Sequence, residues 1–379
     1  MSAAALELAP PPPPAAAPPA PASPTASFAG AQPPKGAGRE GFLDAVRTIA
    51  TLRVVVWHAF GAAAITWVVA AMPAMFFVTG SLLAKSLDRR GARTVLADRS
   101  RRLAAPLWAF GLVAWLAMAA GAWRTGTGLP LARALAWAAP FSDPRGTAWE
   151  GGWLSSHLWY LRALVWLLLA APLLLRAVRA RRALTFTVAI GAVFALDLAA
   201  RQPWSAQVGH GNLWNLGDFA LYSVFLLAGF VHRSGAFATL SRRHWLGVAG
   251  VAGASAAGWA LTQPVPLGVV NNSHPLHLFV GAAWLALALA FQGPIGRLAS
   301  LRFSRAVIRT VGQRSLTVYL WHTAAIIGGV ELLERFPPLP TGPRSVALLA
   351  LTTLGTMAAM LAFGWIEDLA DRRPARLWP

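Results

Sequence analysis

Apolar segments close to twenty residues long recur through the 379-residue chain, and nothing else in it limits the fold as much. A helix of about twenty residues crosses a bilayer core of roughly 30 Å. Ten spans are expected, near 43–64, 67–84, 103–122, 157–175, 184–200, 216–232, 245–262, 276–292, 315–334 and 344–367. Composition agrees: the chain is 56% hydrophobic and 12% charged, and a soluble domain carries about twice that charge. The expected fold is therefore an all-α membrane protein, a bundle of about ten transmembrane helices.

The net charge of +19 does not point to nucleic acid, because the lysines and arginines sit in short clusters between apolar spans. With the N-terminus inside, 24 of the 33 basic residues fall on the cytoplasmic side and six outside, which places both termini in the cytoplasm. Residues 1–39 are rich in Pro and Ala and are expected to be a disordered, polyproline-like tail without the features of a signal peptide. The bundle is expected over 40–370, with a short cytoplasmic tail at 371–379. Cysteine is absent, which excludes disulfides and any Cys-acyl intermediate. The His and carboxylate residues are not at metal-ligand spacing.

Ionisable residues are costly inside a span and mark function by default. The first span reads FLDAVRTIATLRVVVWHAFG. At about 100° per residue, Asp44, Arg47, Thr51 and His58 share one stripe roughly 60° wide, and Arg53 lies opposite. His58 is about 16 Å deeper than Arg47. Asp44 is placed to hold Arg47. A cytoplasmic Arg suits an anionic acyl donor. A deeper His suits removal of a proton from an acceptor hydroxyl. Arg53 and Arg162 fall off the stripes, where snorkelling or pairing with a carboxylate such as Asp197 or Asp218 is the ordinary explanation. On this wheel Arg53→Leu is expected to leave transfer largely intact.

Arg47, ten intervening residues and His58, led in by Phe42-Leu43-Asp44, resemble the first span of the acyltransferase-3 family of integral-membrane acyltransferases, a segment like FLDGLRGIAALLVVLYHA. Thr48 stands where that segment has Gly. Further matches follow in family order. MFFVTGSLLAKS (75–86) is similar to the FFVLSGF stretch, with Thr79-Gly80-Ser81 departing from Ser-Gly-Phe. DRSRRLAAPLW (98–108) resembles the basic segment ending Arg-Leu-x-x-Pro, and HLWYLRALVW (157–166) the Trp-Phe-Leu motif. GQRSLTVYLWHTAAI (312–326) resembles Gly-x-x-Ser-x-x-x-Tyr-Leu-x-His.

The resemblance covers about residues 40–370. It implies a stand-alone, multi-pass cell-membrane O-acyltransferase, without the appended hydrolase-like domain of larger members. The donor would be cytoplasmic acyl-CoA, acetyl-CoA foremost, as a cosubstrate, with no bound cofactor. The acceptor would be a cell-surface glycan, a lipid-linked sugar or a glycosylated metabolite, as in polysaccharide O-acetylation. His58 would be the general base, with Arg47 and Asp44 on the donor side.

Ser315, Tyr319 and His322 form a second stripe, open to either direct catalysis or a structural network. His157 opens the fourth span and is read as interfacial or substrate-binding. Lys85, Arg99, Arg101 and Arg102 occupy the most basic loop, as topogenic or lipid-facing charges or as donor-phosphate ligands. Glu331 and Glu334 are candidates for an acceptor entrance. The competing function is a transporter or flippase for a lipid-linked glycan or organic anion, against which the lack of an internal repeat counts. The topology has a direct test. A reporter fused after Pro379 is expected to read cytoplasmic and one inserted within 125–150 external; a cytoplasmic signal from 125–150 would overturn the span order.

Overall fold

Gly91, held at φ +74°, turns the chain between a 20-residue helix and the 34-residue helix that follows it. The computed structural model describes residues 37–62, 64–126, 134–144, 151–262 and 270–378. All the helices lie in the unit Gly36–Pro379. They begin with α1 (Ala37–Phe60), α2 (Ile65–Val68), α3 (Ala71–Arg90), α4 (Ala92–Thr125), α5 (Ala134–Ala138) and α6 (Gly151–Ser155). The middle holds α7 (Trp159–Ala180), α8 (Arg182–Ala200), α9 (Ser205–Val208), α10 (His210–Arg233) and α11 (Arg242–Thr262). The chain ends with α12 (His274–Ala290), α13 (Gln292–Ala299), α14 (Arg302–Gln313), α15 (Ser315–Leu333), α16 (Thr341–Phe363) and α17 (Trp365–Ala370). No strand occurs among the described residues.

Eight helical segments among the described residues are long and apolar enough to cross a membrane, and the pair α12–α13, bent by 71°, makes a ninth. The expected tenth is α1. Its 24 residues are long enough, but Asp44, Arg47 and Arg53 take it outside a purely apolar criterion. Most of the expected tail (residues 1–36) lies outside the described residues, and α1 already starts at Ala37. The expected basic loop at 293–314 is instead two helices, α13 and α14, which pack with α1. Arg302, Arg305 and Arg309 recur at helical spacing along α14, and none of its residues is buried.

Bundle contact in lipid depends on close packing, because apolar surface gains little by leaving apolar solvent. The closest crossing, between α3 and α10, is made by two glycines. A Cβ at Gly80 would run into the Leu226 carbonyl, and one at Gly229 would run into the Phe77 carbonyl. Beside them Ser81 Oγ and His232 Nδ1 are 3.1 Å apart, tying the two helices by a buried hydrogen bond. Phe76 stacks on Tyr222 at 4.6 Å in the same interface.

The end of the chain is tied down by one buried cation. Arg314, 1% exposed, donates to the Gly364 and Arg376 carbonyls and to Asp368, each at 2.7 Å. The stretch expected as a short cytoplasmic tail after 370 is thus tied, through the Arg376 carbonyl, to the start of α15. The glycine crossing makes a testable claim. Gly80→Val should destabilise the protein by about 1–3 kcal/mol through overpacking. Gly247→Val, which meets open space, should not. Thermal unfolding of the purified variants in detergent separates the two.

Candidate functional site

Two cavities open at opposite ends of the charged stripe on α1. The proximal cavity, about 760 Å³, is lined by Asp44 and Arg47. The distal cavity, about 600 Å³, is lined by His58. Tyr160 and Tyr319 line both, with ring centroids 5.2 Å apart, and so form a shared wall.

In the proximal cavity Arg47 is held by Asp44 at 2.9 Å, one turn earlier on α1. Thr51 Oγ1 returns a bond to the Arg47 carbonyl at 2.9 Å. The guanidinium lies against Gly312, where an added Cβ would come within 3.0 Å of it. Six arginines line this cavity (Arg47, Arg99, Arg102, Arg305, Arg309 and Arg373) against three carboxylates, Asp44, Glu367 and Asp371, so it is electropositive. Arg102 pairs with Asp371 at 2.6 Å. Arg99 and Arg309 have no ion pair among the described residues. Ser315 and Tyr319 also line the space. Lys85 and Arg101 do not: Lys85 pairs with Glu40, and Arg101 donates to the Ala370 carbonyl at 2.9 Å, fastening α17 to α4. The hydrogen bond from the Lys85 ammonium holds the Glu40 carboxyl below the usual carboxylate range.

At the wall of the distal cavity three imidazoles expected in separate spans meet. The His58 and His322 ring centroids are 4.9 Å apart, His157 and His322 5.1 Å, and His58 and His157 6.4 Å. The hydrogen-bond network assigns the tautomers. His58 Nδ1 is 2.9 Å from the Val54 carbonyl, and His322 Nδ1 is 2.7 Å from the Tyr319 carbonyl. Carbonyls only accept, so both Nδ1 atoms carry the proton. His322 Nε2 then turns its lone pair toward His58 Nδ1, 3.2 Å away. His58 Nε2 is left as an unprotonated base with no hydrogen bond among the described residues. His322, fully buried, lines neither cavity and supports His58 from behind. His157 is buried, not interfacial: Thr323 Oγ1 is 3.3 Å from its Nδ1, and its carbonyl accepts from the Tyr319 hydroxyl.

The distal cavity also holds residues the sequence left unplaced. Buried Arg162 pairs with Asp143 at 2.7 Å and Asp218 at 2.8 Å. Asp218 reaches His274 at 3.2 Å, and that ring packs on Trp214 with centroids 4.2 Å apart. Asp197, the other carboxylate weighed for Arg162, pairs with Arg201. Trp57, Trp153, Trp159 and Trp214 contribute aromatic walls. Glu331 and Glu334 line neither cavity. Among the described residues no group of three or more His or carboxylates is arranged to hold a metal ion. The Arg162–Asp218 pair was among the expected pairings; the sequence reading missed Arg305, Arg309 and the extension of that pair to Asp143 and His274. The i, i+4 spacing of Arg305 and Arg309 was visible, whereas the extension joins segments far apart in sequence.

The fold is that of a polytopic helical membrane protein. A family model described as an acyltransferase domain matches residues 40–365, and the chain belongs to this acyltransferase-3 family of membrane acyltransferases. No match was found among curated proteins or among solved structures.

Glu367 offers a pH handle on the proximal cavity. It lies past the end of α16 and accepts from the Thr317 backbone N–H at 2.7 Å, capping α15. Burial pushes its carboxyl from an ordinary 4.5 up to about 7. Between these values the folded state keeps a proton that the unfolded state has lost, so stability falls as pH rises across that window. Glu367→Gln keeps an acceptor for Thr317 and should flatten this part of the profile, measured as unfolding temperature in detergent from pH 5 to 7.5.

Proposed function

We propose that this membrane acyltransferase moves an acyl group from cytoplasmic acyl-CoA to a hydroxyl of a cell-surface glycan or glycosylated small molecule. The observation that carries the reading is the pairing of an arginine-lined cavity with a His58-bearing one across the Tyr160–Tyr319 wall. The proximal cavity faces the cytoplasm on this reading, and its surplus of positive charge suits the phosphates of the donor. Arg47, oriented by Asp44, grips the donor near the cavity's inner end, with Arg99, Arg102, Arg305 and Arg309 around it. The thioester arm passes between the two tyrosines toward His58.

The acceptor enters the distal cavity. His58 Nε2 removes the proton from its hydroxyl as the oxygen attacks the thioester carbonyl carbon. The carbon–sulfur bond then breaks, the ester forms, and the thiolate leaves with the proton that His58 returns. His322 and the Val54 carbonyl fix the His58 ring so that Nε2 faces the cavity. The aromatic walls and neutralised Arg162 suit the faces and hydroxyls of a sugar ring.

Transfer of label from radioactive acetyl-CoA to an acceptor fraction by the purified protein in nanodiscs tests the reading. Label that stays entirely on the donor under all acceptors, or an intact glycan carried across vesicles without acylation, would favour the transport reading instead. Paired variants test the assignment of roles. His58→Ala should reduce single-turnover transfer by about a hundred- to ten-thousand-fold. Donor affinity should hardly change, because Arg47 lies about three turns away. Arg47→Ala should weaken donor binding and leave chemistry nearer normal at saturating donor. Near wild-type transfer by His58→Ala would end its assignment as the base.

A further inference from the structure

Arg53 is a cation of the distal cavity that no carboxylate among the described residues balances. It is 8% exposed and lines the cavity together with His58. Among the described residues its one hydrogen bond goes to the neutral hydroxyl of buried Thr66. Its Nε is buried without a partner. The nearest aromatic face, Trp57, is 6.0 Å from its guanidinium carbon, the outer limit of a cation–π contact. No carboxylate lies within ion-pairing distance among the described residues. The carboxylate partner expected from the sequence is therefore not found there, and Arg53 points into the site instead of away from it.

Arg162, in the same cavity, shows what a charge-balanced arginine looks like here: it is neutralised by both Asp143 and Asp218. An arginine in a bilayer core costs about 2.5–3.5 kcal/mol on insertion scales, so one left unbalanced beside a binding space calls for a ligand that supplies the missing charge.

We propose that Arg53 forms an anion subsite in the distal cavity, binding a carboxylate or phosphate group carried by the acceptor beside the hydroxyl that is acylated. The subsite rests on reading the distal cavity as the acceptor site. With Nη2 donating to Thr66, the Nη1 N–H groups are free among the described residues to give the anion charge-assisted hydrogen bonds. The acceptor is then an acidic sugar or sugar phosphate, not a neutral one.

The test is a binding comparison on the full chain in phosphatidylcholine nanodiscs, read by the change in tryptophan fluorescence. The probes are methyl glucoside, methyl glucuronide and methyl glucoside 6-phosphate. Wild-type protein should bind one of the two anionic probes at least about tenfold more tightly than the neutral one, and the better anion identifies the group. Arg53→Leu, which removes the charge, should bind all three within about twofold. Arg53→Lys should keep part of the preference, separating loss of charge from misfolding. Equal binding of all three probes by the wild-type protein, or a preference that survives in Arg53→Leu, overturns the proposal. Label transfer from acetyl-CoA to the preferred probe is measured in parallel. Anion preference without any transfer would keep the subsite and remove the acyltransfer reading of this cavity, so the two failures are distinguishable.

Discussion

Everything in the bundle is arranged around the cost of keeping α1 inside it. Asp44, Arg47, Arg53 and His58 together are far more expensive in hydrocarbon than any single span recovers from its apolar residues. The helix is tolerable only where protein and water-filled cavities replace lipid along its polar side. α3, α13, α14, α15 and α16 all pack against it. The close α3–α10 crossing at Gly80 and Gly229 holds one side of this enclosure. Gly312 does the same for Arg47, since any side chain there would displace the guanidinium. Small residues thus stand where a charged group needs the backbone of a neighbour.

The helical framework was legible because span length and hydropathy are local properties, and every expected span has a helix in its place. The polar stripe was legible for the same reason: Asp44, Arg47, Thr51 and His58 depend only on helical period. What local pattern cannot carry is which spans meet. His157 read as an interfacial residue because it opens its helix, yet it is buried against His322. Arg53 read as an outward charge because the wheel divides a helix into a functional face and its opposite. A helix enclosed by two cavities has no such opposite face, and Arg53 lines the same space as His58. Lys85 and Arg101 shared a loop with Arg99 and Arg102, but neighbours on a helix point different ways, and only the latter two reach the cavity.

The segment at 293–314 shows a further limit. Five arginines between two spans read as a topogenic loop, and the charge count for orientation does not depend on its structure. Folded as α13 and α14, the same residues wall the proximal cavity with Arg305 and Arg309. A single stretch can serve both purposes, because lipid-facing charge and ligand-facing charge differ only in which side of an amphipathic helix they occupy.

The imidazole cluster has a consequence for the route of the proton. Each Nδ1 proton is committed to a backbone carbonyl, at Val54 for His58 and at Tyr319 for His322. Behind His58 only His322 Nε2, 3.2 Å from its Nδ1, can share a proton, and the path ends there because the His322 Nδ1 is bonded to the Tyr319 carbonyl. On the proposed reading, a proton taken up at His58 Nε2 therefore returns through Nε2 to the distal cavity. In the proposed reaction the one strong base newly formed there is the departing thiolate. On that proposal the atom that deprotonates the acceptor also protonates the leaving group. His322, which lines neither cavity, bears on this only through its lone pair, which favours the His58 tautomer with Nε2 unprotonated.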